Sequence, residues 1–240
     1  MGSTFVALCA ALAVFGSMSV AFPRNAAAES TRLSWDQCAG PGAGKQFACD
    51  TNAGGARLVV SAVRDSVGSF TSGFSLSIEV WSVGPTLPTW WALEPSGCRS
   101  GAATRSFDPE PQDASCLDSW LGEMAGGLTF TPIDPGRLRV SLAGVNPTET
   151  LTMTAGVETF IAAIGLSYQG STGPGSCNGC TSATCLVLRD LTIVDEAGLR
   201  VDPIPVSTDS GVLAWQDSLA TCLAVPTRTS TWGRLKSLYR

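Results

Sequence analysis

The chain runs to 240 residues, with 20 acidic and 15 basic side chains, a formal net charge of −5 and no histidine. Without histidine there is no Ser-His-Asp triad, no Cys-His pair and no ordinary histidine-bearing zinc or iron site. Lysine occurs only at Lys45 and Lys236 and no basic stripe exists, which excludes nucleic acid and anionic membrane as expected partners.

Phe5 to Val20 is an apolar run with small and hydroxyl interruptions. It is too short and too broken for a membrane span and reads as the core of an export signal. Ala26-Ala27-Ala28 before Glu29 supplies an A-x-A-type cleavage site, with Ser19-Val20-Ala21 as the competing one. No Lys or Arg precedes the run, and a buried N-terminal helix is the alternative reading. Cleavage after Ala28 removes Cys9 with residues 1–28 and leaves no transmembrane span. The organisation expected is a signal over 1–28, one domain over 29–225 and a tail over 226–240, in a protein that is secreted or held at the cell envelope.

Strand signals begin at Leu33-Ser34-Trp35-Asp36-Gln37, which is echoed near the other end by Leu213-Ala214-Trp215-Gln216-Asp217. These read as first and last strands of one sandwich. Arg57 to Val63 and Leu138 to Leu142 alternate apolar and polar residues, as does the row Phe74, Leu76, Ile78, Val80 against Ser75, Ser77, Glu79, Trp81. Leu117 to Met124 has the pattern of two helical turns. Thr150 to Thr154 and Thr159 to Tyr168 read as strands around an Ala155-Gly156 turn. Cys185 to Val194 alternates only if a bulge or kink lies near Asp190. Glycines and prolines punctuate between these segments, so the fold expected is all-β: a single jelly-roll-like sandwich of about ten strands. Pro226 to Ser230 reads as a linker, and Trp232 to Tyr239 as a short amphipathic C-terminal helix that either docks on the sandwich or serves as an envelope sorting element.

Cys38, Cys49, Cys98, Cys116, Cys177, Cys180, Cys185 and Cys222 remain after cleavage. An even count in an exported chain reads as four disulfides whose connectivity the sequence does not fix. Local pairing is the simplest expectation: Cys38 with Cys49, Cys98 with Cys116, and the last four among themselves. The spacing Cys177-x-x-Cys180-x4-Cys185 also suits a metal or a redox pair, but an oxidising compartment and the lack of histidine favour structural disulfides.

Leu33-Ser34-Trp35-Asp36-x-Cys38, Phe47-x-Cys49-x-Thr51-Asn52, Leu87-Pro88-x-Trp90-Trp91, Cys177-x-x-Cys180-x4-Cys185 and the ending Thr231 to Arg240 form a combination that spans nearly the whole chain. The combination resembles a group of uncharacterised secreted bacterial β-sandwich proteins, which implies export and a sandwich and brings no activity with it. The strand pattern also has a looser, fold-level likeness to cohesin-type and carbohydrate-binding sandwiches.

Three further constellations carry chemistry. Asp50-Thr51-Asn52-Ala53-Gly54 echoes the opening of a calcium loop, with Asp36 as a distant ligand. No glutamate follows to complete it, and an Asx-turn is the alternative. Trp81, Trp90 and Trp91 are candidate stacking platforms for a sugar; Trp81 is the best placed, because alternation puts it opposite the core-facing residues of its strand. Asp108, Glu110 and Asp113 in a proline-spaced loop, and Asp195-Glu196 before a turn, are the carboxylates available for a polysaccharide hydrolase, although nothing in their spacing demands an opposed pair. The expected role is a non-catalytic binding or structural module with an extracellular carbohydrate or protein as ligand. A carboxylate hydrolase or a Ca2+-stabilised adhesion component are the alternatives.

Overall fold

The computed structural model describes residues 29–40, 44–65, 70–120, 124–147, 151–195, 201–206, 210–217 and 219–223. The expected signal over 1–28, Cys9 and the tail over 226–240 with its Trp232 to Tyr239 helix lie outside them. The strands in chain order are β1 (Ser30–Trp35), β2 (Gly44–Lys45), β3 (Gly55–Val63), β4 (Phe70–Ser82), β5 (Ala103–Ser106), β6 (Leu117–Asp118), β7 (Ala125–Asp134), β8 (Arg137–Val145), β9 (Leu151–Thr152), β10 (Thr159–Ser167), β11 (Thr184–Asp195), β12 (Val201–Pro203) and β13 (Val212–Trp215). One helix, α1 (Leu219–Leu223), follows. A five-stranded sheet runs β1-β3-β10-β5 with β6 beside β10. An eight-stranded sheet runs β2-β13-β11-β4-β8-β7 with β12 on β11 and β9 on β4. The chain is thus the disulfide-stapled, jelly-roll-like sandwich that its alternation predicts.

Alternation explains which side chains fill the space between the sheets. Leu33, Trp35, Leu58, Val60, Ile164 and Leu166 come from the five-stranded sheet. Phe74, Leu76, Ile78, Val80, Leu138, Val140 and Leu142 meet them from the other. The register of β11 against β4 shifts between Leu188 and Asp190. That extra residue keeps Leu186 and Leu188 on the same inner face as Leu191 and Ile193, all buried. Each such side chain contributes about 1.5–3 kcal/mol by leaving water.

The two Trp-containing echoes end their strands alike. The residue after each tryptophan has a positive φ, 61° at Asp36 and 59° at Gln216. Asp36 Oδ1 accepts the Arg57 N–H at 3.1 Å, and Gln216 Oε1 accepts the Phe47 N–H at 3.0 Å. The first and last strands lie in different sheets but adjoin, since Trp35 Nε1 donates to the Ala214 carbonyl at 3.3 Å. On this side the sheets are also joined by backbone bonds from Thr31 to Pro205 and from Leu33 to Ser210. The opposite side is bounded by β5 and β7, with Phe107 filling the gap. A Cβ on Gly126 or Gly144 would lie 2.7 or 3.0 Å from its ring, so both positions require glycine.

The disulfides pair Cys38 with Cys116, Cys49 with Cys180, Cys98 with Cys177 and Cys185 with Cys222. Three of these bridges correct the expected local pairing, and the fourth, Cys185–Cys222, joins two of the last four cysteines as expected. Cys38 and Cys49 lie in loops between strands, and the partners that meet come from segments 37 to 131 residues apart. Cys177, Cys180 and Cys185 each bond a distant cysteine, so the CxxC spacing carries neither a metal set nor a redox pair. The expected helix over Leu117 to Met124 is also corrected over residues 117–120, while 121–123 lie outside the described residues. Leu117-Asp118 form β6, held extended by the Leu117 N–H to Glu158 carbonyl bond at 2.8 Å and by the neighbouring Cys38–Cys116 bridge. The strand expected over Thr150 to Thr154 shortens to β9.

Candidate functional site

The outer face of the eight-stranded sheet is built by the polar half of the alternating strands. β4 places Ser75, Ser77, Glu79 and Trp81 in one outward row, and β8 sets Ala143, Ser141, Arg139 and Arg137 beside them. A groove of about 670 Å³ crosses β11, β4, β8 and β7, lined by Ser75, Ser77, Thr129, Ser141 and Asp190 around a central ionic group. That group is Glu79, whose two oxygens meet Arg189 Nη2 at 2.6 Å and Arg139 Nη2 at 3.3 Å. Burial alone would raise the Glu79 pKa. The hydrogen bonds and charges of Arg189 and then Arg139 outweigh it and hold the carboxyl below the usual carboxylate range. Ser77 donates to Asp190, which the β11 bulge turns outward next to Arg189. The result is a broad face of hydroxyls with two guanidinium groups fixed by one carboxylate. Arg139 and Arg189, half exposed, keep donors free for a ligand.

One end of this face is closed by α1. The Cys185–Cys222 bridge pins the helix over β11 and β13, forming a second small apolar cluster of Cys185, Val212, Ala214 and Cys222. Trp81 and Val187 pack against it half-buried. Trp81 therefore occupies the outward row that alternation assigns to it, with one part of its indole committed to this cluster.

The five-stranded sheet offers a different outer face. The segment from Ser106 to Trp120 straps across it. Within the strap Asp113 is buried and accepts N–H bonds from Cys38 at 2.8 Å and Glu110 at 2.9 Å. Arg57 Nη1 donates to Oδ2, the oxygen that also accepts the Glu110 N–H, and Arg57 pairs with the Glu110 carboxylate through Nε at 3.5 Å. Beside Arg57 lies a cleft of about 370 Å³, lined by Asp36, Thr104, Ser106, Glu110 and Gln112 over Gly55, Ala56 and Gly165. Asp36 and Glu110, from two separate sequence constellations, are thereby brought to one cleft. Each already has a cation: Lys45 for Asp36 and Arg57 for Glu110. Asp108 is exposed, and the contact it makes with Arg57 runs through its backbone carbonyl. Two of the loop's three carboxylates, Glu110 and Asp113, thus gather around one arginine. Asp195 ends β11 elsewhere, and Glu196 lies outside the described residues.

Trp90 and Trp91 are corrected as stacking platforms. Both are buried, at 0% and 1% exposure, in an aromatic cluster at one end of the core. Phe47 stacks on Trp215 at 3.9 Å between centroids, Trp90 meets Trp215 at 4.5 Å, and Trp91 meets Trp90 edge-on at 5.0 Å. Arg99 sits 3.5 Å over the Trp90 ring and donates to the Trp90 and Gln169 carbonyls. Burial pushes its pKa down to about 10, leaving it a cation at neutral pH. The Thr89–Trp91 turn is a short 3-10 helix that folds both indoles inward, and the Asn178 carbonyl fixes it by accepting the Trp90 N–H at 2.9 Å.

The calcium reading loses two of its ligands to other partners. Asp36 pairs with Lys45, and the Asn52 amide clips the 171–172 turn, accepting N–H bonds from Ser171 and Thr172 and donating to the Thr172 carbonyl. Asp50 is exposed. Among the described residues no group of three or more His, Cys, Asp or Glu side chains is placed to hold a metal ion. The residues that sequence reasoning passed over are Arg139 and Arg189, which lie 60 and 110 positions from Glu79. Their one signal was an acid, Glu79, in an outward row that otherwise holds Ser75, Ser77 and Trp81.

The sequence matches no protein-family model, and no curated protein matches it. Similar solved structures include a cohesin module from a family 33 glycoside hydrolase of Clostridium perfringens, at 7% identity and a TM-score of 0.32, over 75% of this chain and 97% of that one. A chain from the crystal structure of a complex between a CaDoc0917 variant and CaCohA2 is similar at 9% identity and a TM-score of 0.34, over 78% and 97%. The likeness is to a sandwich fold, loosely, and extends no further. Among the described residues no helix is long and apolar enough to cross a membrane.

Proposed function

We propose that this is an exported, non-catalytic binding module that recognises an extracellular protein through the open outer face of its eight-stranded sheet. The observation that carries this reading is the groove across β11, β4, β8 and β7, with Arg139 and Arg189 fixed by Glu79 among hydroxyl side chains. Arginines immobilised before a partner arrives lose little entropy on binding, and arginine is enriched at the centres of protein interfaces. The burial of Trp90 and Trp91 weighs against a sugar platform, and the pairing of each cleft carboxylate with a cation weighs against a hydrolase. Four disulfides suit an extracellular setting.

The test is capture from the extracellular fraction of the producing cells by the immobilised oxidised protein, with identification of what is retained. Ser75→Arg combined with Ser141→Arg fills the groove from two strands and is expected to abolish specific capture while leaving the melting temperature unchanged. Retention of the same partner by the double variant would move the site off this face. Binding in a glycan panel that survives without any protein partner would replace the ligand class. Polysaccharide turnover lost in Glu110→Gln would replace the reading altogether.

A further inference from the structure

The strand at the margin of the groove has a long open edge, interrupted only towards its end by Pro132 and the bulge between Pro132 and Asp134. Among the described residues β7 pairs on one side only, with β8. It is ten residues long, and no charged residue occurs from Ala125 to Ile133. Soluble proteins blunt such edges with charges, bulges or short strands, because a row of free backbone groups templates another strand. The other edges here are managed. β5 is four residues long and carries Arg105; β2 has two residues; β1 is tied to the segment around Pro205 and Ser210.

Three details of β7 suit it to pairing. Pro132 has no N–H to give to β8, so its backbone groups point away from that strand. Gly126, Leu128 and Phe130 share its parity, which directs their N–H and C=O groups out of the sheet edge. Gly127 sits mid-strand, yet a Cβ there would meet nothing within 4 Å. No packing inside the chain requires that glycine, and a bare backbone in a strand suits the close approach of another. Finally, Leu128 and Phe130 lie on the inner side, half-buried against the core, while Thr129 and Thr131 stand exposed on the outer side.

We infer that β7 pairs antiparallel with β7 of a second copy of this chain, about a two-fold axis at Thr129. In that register Leu128 lies opposite the partner's Phe130, and Thr129 lies opposite its own copy. Aliphatic–aromatic and Thr–Thr pairs are both favourable across strands. No charged side chain lies from Ala125 to Ile133, so the pairing sets no like charges opposite each other along the ladder. The ladder holds roughly four to six backbone hydrogen bonds and ends where Pro132 has no donor. Two eight-stranded sheets become continuous, and their grooves stand side by side on one face. A dimer of this kind binds a repetitive or clustered partner bivalently. The inference stands apart from the ligand reading, because it is measured without any ligand.

Sedimentation velocity of the oxidised protein over a wide concentration range is expected to show a reversible monomer–dimer equilibrium. Thr129→Lys sets like charges opposite each other at the axis and is expected to weaken association about tenfold. Thr129→Glu does the same, and an equimolar mixture of the two regains the dimer through Lys–Glu pairing. Thr129 is exposed, so both variants keep the wild-type melting curve at concentrations where the wild type is monomeric. A monomer at every concentration overturns the inference. A dimer indifferent to both substitutions, or a mixture that fails to reassociate, overturns it equally.

Discussion

The two outer faces of this sandwich carry ionic networks of opposite sense. On the five-stranded sheet one cation, Arg57, is held by two carboxylates, Asp113 and Glu110. On the eight-stranded sheet one anion, Glu79, is held by two guanidinium groups, Arg139 and Arg189. The first lies under a strap that the Cys38–Cys116 bridge fastens, with the Asp113 side chain at 0% exposure. The second lies on open strands, with both arginines nearly half exposed at 48% and 45%. The same chemistry therefore does different work. Covered, it fixes a loop to a sheet; uncovered, it holds donors ready for something outside the chain.

That contrast sets an order of expected effects. Asp113→Ala should be the most damaging of these changes. It leaves the Arg57 guanidinium with the exposed Glu110 as its remaining carboxylate and removes the acceptor of two backbone N–H groups, at a cost of about 3 kcal/mol in a denaturant titration under oxidising conditions. Replacing Cys38 and Cys116 together by alanine should cost about 2–4 kcal/mol and expose the strap to limited proteolysis ahead of the rest of the sandwich. If the strap stayed resistant, its cover would come from packing rather than from the bridge.

Glu79→Gln should cost least, about 1 kcal/mol, because a network open to water is screened. Its signature is a pH dependence. The folded-state pKa of Glu79 is depressed, so its stabilisation is full above the ordinary carboxylate value of 4.5 and drains away as the pH falls towards the folded-state value. Melting temperatures of the wild type should therefore decline more steeply below that pH than those of Glu79→Gln. Parallel acid limbs would mean that the two arginines do not hold this carboxyl.

The long strands were legible because their signal is local. Phe74 to Val80, Arg57 to Val63 and Leu138 to Leu142 each announce one buried face, and even the bulge near Asp190 shows as a break in alternation. β7 was not legible, since Gly126, Gly127 and Pro132 are turn signals in sequence and mark a free edge only once the neighbours are known. The tryptophan pair misled for a related reason. Pro88 and nearby glycines mark Trp90 and Trp91 as loop residues, while their burial depends on Phe47, Arg99, Asn178 and Trp215, all remote in the chain. The candidate site was half legible: Glu79 and Trp81 follow from strand parity, but which cations reach Glu79 is a property of sheet order.

The bridge pattern has a consequence for how the molecule is made. A chain emerging amino end first presents Cys38 and Cys49 together long before Cys116 and Cys180, their native partners. Oxidation before Cys116 and Cys180 are present has only non-native partners to join, and the Cys38–Cys116 bridge interleaves with both Cys49–Cys180 and Cys98–Cys177. Reoxidation of the reduced chain is therefore expected to run faster with a disulfide isomerase than with an oxidant alone.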